Sequence, residues 1–184
     1  MSQFELMIMD NVNFLVHCQI MDTLMPVITR LGDGGAVWIV LCLVLLVFPK
    51  TRKIGAAMGI SLLIEIICCN LILKPLVARP RPFDINEGIS LLIARPDDYS
   101  FPSGHTAAAF MAATLLYKEY GFKGYWVGLV AYAAAIVTGF TRILNNRHWL
   151  FDVIIGAALG ILLTDLAFRL VQLIFKDRGL IQHK

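Results

Sequence analysis

The chain has 184 residues, of which 58% are apolar and only 16% charged, with a mean hydropathy of +0.73. A soluble domain carries about a quarter charged residues, so a soluble all-helical enzyme fits poorly and the bilayer is the expected solvent. The formal net charge of +3 comes from basic residues spread among loops, which form no stripe for nucleic acid.

Residues 3 to 30 alternate apolar and polar at helical spacing, with Phe4, Ile8, Val12 and Leu15 on one stripe, followed by the apolar stretch Leu24 to Leu31. This predicts one or two helices lying in the membrane interface. Glu5 and Asp10 interrupt the apolar character and no basic n-region precedes them, so a cleaved signal peptide is not expected.

The turn signal GDGG at 32 to 35 opens an uncharged run from Gly34 to Pro49, a short first span ended by PKTRK. Ile54 to Leu73 is long enough to cross the hydrocarbon and carries Glu65 as its only charge. Pro75, Pro80, Pro82, Pro96 and Pro102 then exclude one continuous helix and predict a long functional loop. Phe101 to Tyr117, Gly124 to Thr141 and Trp149 to about Phe175 supply three more helices.

The expected architecture is therefore an all-α polytopic transmembrane bundle of about five spans. An N-terminal interfacial segment (1–33) precedes a core (34–184). Gly55 and Gly59, Gly124 and Gly128, and Gly156 and Gly160 each stand four apart, the spacing that lets membrane helices approach closely. Cys18, Cys42, Cys68 and Cys69 show neither disulfide nor metal-ligand spacing and read as packing residues. Lys50, Arg52, Lys53, Lys118, Lys123, Lys176, Arg178 and Lys184 fall on one side, which the positive-inside rule makes cytoplasmic. Arg30, Lys74, Arg79, Arg81, Arg95, Arg142 and Arg147 fall on the other, where the bias stays weak unless several have a second task.

Three segments at that second face hold the unusual polar residues. In KPLVARPRP, Lys74 closes the second span and Arg81 follows seven residues later across rigid prolines. Two fixed cations there suit an anionic headgroup, with interfacial snorkelling as the plain alternative. In FPSGHT, Ser103 and Gly104 are expected to present free backbone N–H groups at the positive end of a helix, where phosphate binds. His105, in the first turn, is placed to protonate a leaving oxygen. Ser103 also suits an ordinary N-cap.

In TRILNNRHWLFD, His148 and Asp152 are four apart at a helix start and share one face. Asp152 is expected to take the hydrogen bond of one ring nitrogen, leaving the other free to attack phosphorus. Arg142 adds a planar fork for phosphoryl oxygens. The alternative is a hydrogen-bonded interfacial pair. Glu65, mid-span, and Asp165, in the last helix, are further charges without an evident partner in the sequence.

Together these segments resemble the three-part signature of the type 2 phosphatidic acid phosphatase superfamily: Lys, six residues, Arg-Pro; then Pro-Ser-Gly-His; then Ser-Arg, five residues, His, three residues, Asp. The matching positions are Lys74, Arg81 and Pro82, then Pro102 to His105, then Arg142, His148 and Asp152, over a helical core from about residue 24 to 175. Thr141 stands where the family has Ser and keeps the hydroxyl. On this reading the chain is expected to lack the extra N-terminal span of six-helix members.

The resemblance implies a site that uses no metal and no cofactor, in which His148 forms a phosphohistidine and His105 protonates the departing group and then helps activate water. Lys74, Arg81, Ser103, Gly104 and Arg142 would bind the phosphate. The implied partners are a lipid phosphate and the bilayer, and the implied location is a bacterial cell membrane with the site at the outer face. Undecaprenyl diphosphate is the first expectation for substrate, with phosphatidylglycerol phosphate and phosphatidic acid as alternatives. Ile89 to Ile93 is placed to admit the lipid chain. A vanadate-dependent haloperoxidase is disfavoured by the spans, and a non-catalytic lipid-binding or transport protein by the presence of both histidines with Asp152.

Overall fold

The computed structural model describes residues 3–16, 23, 35–85, 95–120 and 125–176, and all regular structure within them is helical. The expected stretches Leu24 to Leu31 and Ile89 to Ile93, and Cys18, lie outside the described residues.

Helix α1 (Gln3–Val16) precedes α2 (Ala36–Val47), which begins after Gly35 in the left-handed region at φ 70°. The reversal after α2 is closed by Thr51, whose hydroxyl donates to the Leu45 carbonyl at 2.8 Å. Helix α3 (Arg52–Glu65) then continues into a π-helical segment, Ile66–Leu73, where the Lys74 N–H reaches the Cys69 carbonyl five residues back. The helix does not close at Lys74 as expected. It runs one further turn, α4 (Lys74–Val77), and stops at Ala78 with φ 48°. Pro75 brings no N–H, and the widened turn before it has already shifted the hydrogen-bond ladder, so the ring is accommodated. A one-turn helix, α5 (Pro82–Ile85), follows.

Helix α6 (Gly104–Tyr120) is the axis of the bundle. Its Ala107, Ala109, Met111 and Ala112 are fully buried, and it packs chiefly against α7 (Tyr125–Leu144) and α8 (Leu150–Lys176), and less against α3. Small side chains bring backbones together: a Cβ on Gly156 would lie 2.6 Å from the Ser103 carbonyl oxygen, and one on Gly160 nearer still to that of Ala107. Gly156 seats the Pro-Ser-Gly-His turn directly on α8, and Gly160 seats the next turns of α6.

Among the described residues, three stretches, Arg52–Ile85, Tyr125–Leu144 and Leu150–Val171, are long and apolar enough to cross a membrane, and α2 is a shorter apolar helix. Large apolar side chains such as Val40, Leu63, Leu71, Val130, Ile136 and Leu162 point outward, as lipid-facing residues do. The chain is a multi-pass membrane protein.

The predicted stripe of α1 is divided, with Val12 packed against the cluster of Met9, Ile143 and Trp149. Phe4 is exposed, whereas Glu5 and Met9 are buried, and Met9 packs with Ile143 and Trp149. The docked face carries a buried charge, described below, beside its apolar contacts.

Candidate active site

One end of the bundle gathers all three motif segments. The α7–α8 turn supplies the third. Asn146 takes the left-handed conformation at φ 53°, and the Arg142 carbonyl accepts both the Arg147 N–H at 3.0 Å and the His148 N–H at 3.3 Å. The last turn of α7 thus fixes the backbone of His148 directly. Arg142 itself is almost fully buried. Thr141 spends its hydroxyl on the Thr138 carbonyl at 2.7 Å, which its β-branched scaffold does as well as serine's.

His148 is 3% exposed and does not hydrogen-bond Asp152, whose Oδ2 is 3.9 Å from Nδ1. The bond goes instead from Nδ1 to the Ser100 carbonyl at 2.7 Å. A carbonyl can only accept, so Nδ1 carries the proton and the lone pair is left on Nε2. Nε2 lies 3.4 Å from Nη1 of Arg81. The expected tautomer is therefore present, but Ser100 sets it. Burial pushes the His148 pKa down to about 4, against the pull of Asp152 and with the help of the Arg81 and Lys74 charges. The ring is neutral at pH 7, as a nucleophile must be.

Asp152 works one step back. Its Oδ1 accepts from Nη1 of Arg79 at 2.6 Å, and its Oδ2 accepts from the Ser100 hydroxyl and from the Trp149 N–H at 3.0 Å. The last bond caps α8 from its first turn. Arg79 lies over the Trp149 ring, 5.3 Å from the centroid, and its Nη2 reaches Oε2 of Glu5 at 2.5 Å. Glu5 also accepts the Phe151 N–H at 3.4 Å. A chain of buried charges, Glu5 to Arg79 to Asp152, thus ties α1 to the loop carbonyl that holds His148.

Arg81 is equally buried and fully engaged. It donates from Nε to the Asp98 carbonyl at 2.8 Å, from Nη1 to the Arg147 carbonyl at 2.6 Å, and from Nη2 to the Asp98 carboxylate. Lys74 pairs with the other Asp98 oxygen. Burial would raise the Asp98 pKa, but the Lys74 hydrogen bond and the Arg81 and Lys74 charges outweigh it and hold it at about 2. A carboxylate thus sits between the two cations predicted to bind phosphate.

Ser103 differs from its predicted role. Its N–H is donated to the Asp152 carbonyl at 3.0 Å, and its hydroxyl lies 2.8 Å from that of Thr106 and accepts the Thr106 N–H at 3.4 Å. Ser103 is an N-cap that also stitches α6 to α8. Gly104 and His105 begin α6, and His105 faces a cavity of about 280 Å³ lined with Lys74, Arg81, Pro96, Asp98, Arg147 and His148.

The structure therefore brings together Lys74, Arg81, His105 and His148 around one cavity, with Asp152 and Ser103 supporting from behind. Sequence reasoning missed Arg79, Asp98, Ser100, Arg147 and Glu5 as participants. Arg79 and Asp98 carried a signal, being charges between motif residues in a proline-rich segment; the Ser100 carbonyl carried none.

The polar end of the helical bundle thus presents two histidines and several cations around one cavity. The chain belongs to the PAP2 superfamily, whose family model matches residues 50–176. It is 50% identical over 86 residues to a lipid A 1-phosphatase of Porphyromonas gingivalis, covering 45% of this chain and 19% of that protein. It is 35% identical over 124 residues to an undecaprenyl-diphosphatase of Sulfolobus acidocaldarius, covering 67% of this chain and 58% of that protein. The chain thus spans less than two thirds of these two relatives. The crystal structure of Aquifex aeolicus LpxE superposes with a TM-score of 0.77 at 27% identity, over 91% of this chain and 96% of that one.

Proposed function

We propose that this chain is an integral membrane lipid phosphatase working through a phosphohistidine on His148. The observation that carries the reading is the His148 ring itself: neutral, with Nδ1 bound to the Ser100 carbonyl and Nε2 beside Arg81 at a cation-lined cavity. Nε2 attacks phosphorus, the bond from phosphorus to the lipid oxygen breaks, and His105, kept neutral in the free protein by burial and the Arg142 charge and protonated once the phosphate anion offsets the surrounding cations, gives that oxygen its proton. His105 then takes a proton from water as water displaces His148 from phosphorus. Lys74, Arg81 and Arg142, with the Gly104 backbone at the start of α6, stabilise the equatorial oxygens, a contribution of about 3 kcal/mol per well-placed donor. Asp152 is a positioning residue in this scheme. Ser103 supports the turn and is not a direct ligand. The phosphate displaces the Asp98 carboxylate from Lys74 and Arg81 on binding.

Two substrates are supported by particular comparisons. Undecaprenyl diphosphate is favoured by the Sulfolobus relative, which matches two thirds of the chain, and lipid A 1-phosphate by the Porphyromonas relative and by the likeness to LpxE. The clustering of Lys50, Arg52, Lys53 and Lys118 at the end opposite the site supports an outward-facing site in a bacterial cell membrane. The division into an interfacial segment, 1–33, and a core, 34–184, belongs to the same reading.

Phosphate release from a panel of lipid phosphates in detergent, with excess chelator, tests the proposal. Turnover in chelator that disappears in His148→Ala is the expected result. Loss of turnover in the parent protein on chelation would remove the metal-free mechanism, and equal turnover in His148→Ala would remove the nucleophile.

A further inference from the structure

A second cavity of about 280 Å³ adjoins the phosphate cavity and shares Lys74, Asp98 and His105 with it. Its other walls are Glu65 and Asn70, with Ile39, Leu62 and Ile66 on the lipid side. Glu65 is 3% exposed midway along the second long helix, and its Oε1 has no hydrogen-bond partner among the described residues. A Cβ placed on Gly104 would lie 3.3 Å from that Oε1 and 3.2 Å from Oδ1 of Asn70, so both polar ends converge beside the backbone that precedes His105. Neither residue belongs to the phosphate-binding motifs. An acceptor buried without a donor is costly in hydrocarbon and is retained where a ligand completes it.

Resting on the phosphatase reading above, we propose that this second cavity is the leaving-group subsite. Glu65 and Asn70 there select an alcohol that carries hydroxyl or amide donors beside the phosphoester, as a sugar or glycerol headgroup does, over a second phosphate.

The placement follows from the two histidines. In-line displacement puts the leaving oxygen opposite the attacking nitrogen, next to the acid that protonates it. His148 lines only the first cavity, whereas His105 lines both. The departing group therefore lies on the Glu65 side of His105. Charge then decides its chemistry. The phosphate cavity sets Lys74, Arg81 and Arg147 against Asp98 alone, whereas the second cavity holds Lys74 against Asp98 and adds no further cation. No positive balance is left there to hold the phosphate that a prenyl diphosphate would leave behind. A hydroxyl or amide N–H, by contrast, donates to Glu65 and to Oδ1 of Asn70. The apolar wall of Ile39, Leu62 and Ile66 takes the first methylenes of the chain.

The test compares kcat/KM of the full chain in detergent on four substrates: lipid A 1-phosphate, phosphatidylglycerol phosphate, undecaprenyl diphosphate, and p-nitrophenyl phosphate, whose leaving group has no such donors. The parent is expected to prefer one of the first two over the diphosphate, and the stronger of them separates the sugar from the glycerol source. Glu65→Leu and Asn70→Leu each should lower the ratio of that ester over p-nitrophenyl phosphate by about tenfold or more, mainly through KM, with Glu65→Gln restoring most of it. Preference of the parent for undecaprenyl diphosphate, or variants that lower all four substrates in proportion, would overturn the subsite. If the parent releases nothing even from p-nitrophenyl phosphate, the phosphatase reading fails and takes the subsite with it.

Discussion

The two ends of the bundle carry charge in opposite ways. At the site end, Glu5, Arg81 and Asp152 are buried, Arg79 is largely so, and their partners come from segments far apart in the chain. At the other end, Asp165 pairs with Lys118 at 2.5 Å and with Arg169, one turn away, at 2.8 Å, all of them exposed or partly so. Surface pairs of this second kind contribute little, because water screens them and both side chains lose freedom. A buried network behaves otherwise: removing one member leaves another charge without compensation. Charge at the site end therefore fixes geometry, and charge at the far end serves solubility and orientation.

Breaking the comparison at its strongest point means cutting Arg79. Arg79→Met would leave both Asp152 and Glu5 facing an apolar side chain, and should cost about 3 kcal/mol or more. Thermal unfolding in detergent checks this, and turnover should fall with it as the Ser100 carbonyl loses its anchor. Gly156→Ala comes next. Its methyl would meet the Ser103 carbonyl oxygen at 2.6 Å, forcing α6 and α8 apart at a cost of about 1–3 kcal/mol. The bond from the Ser103 N–H to Asp152 should weaken, and kcat should fall more than stability alone explains.

Acidity offers a graded test. His148 is depressed to about 4 in the fold, against an ordinary value near 6.5. Between those values the unfolded chain holds a proton that the folded one does not, so this residue's contribution to stability falls as pH drops from about 6.5 to 4. Turnover should follow the neutral ring and decline on the acid side with a slope of one proton centred near 4. Asp98→Asn should act in the opposite direction to the other substitutions. It removes the carboxylate that occupies Lys74 and Arg81, so inorganic phosphate should inhibit severalfold more strongly. Smallest of all, Lys118→Ala and Asp165→Asn should leave both melting temperature and turnover near those of the parent.

Much of this was legible in the sequence because it is written locally. Apolar runs fixed the helices, and the spacing of His148 and Asp152 placed them near one helix start, although His148 lies just before the first turn and Asp152 within it. The α2 to α8 core lies where the five expected spans lay, although α2 and α6 are short. What escaped has no local pattern. The hydrogen bond from His148 goes to the backbone of Ser100, and any residue there supplies a carbonyl. Glu5 and Arg79 meet across most of the chain, so nothing in the periodicity of α1 announces that Glu5 is turned inward by an ion pair. The π turn before Lys74 was hidden as well, since prolines announce where a ladder breaks but not how the preceding turn absorbs the break. Asp165, unpartnered on inspection of the sequence, finds Lys118 on a neighbouring helix.

The central claim is that His148, held by the Ser100 carbonyl and unprotonated at Nε2, bonds to phosphorus. Rapid acid-free quenching of the full chain during turnover of a 32P-labelled lipid phosphate, followed by peptide mapping, tests it directly. The account predicts an acid-labile, base-stable label on the peptide containing His148, absent from His148→Ala. A label that persists in His148→Ala, or turnover by the parent with no labelled protein under conditions that trap half a turnover, would contradict it.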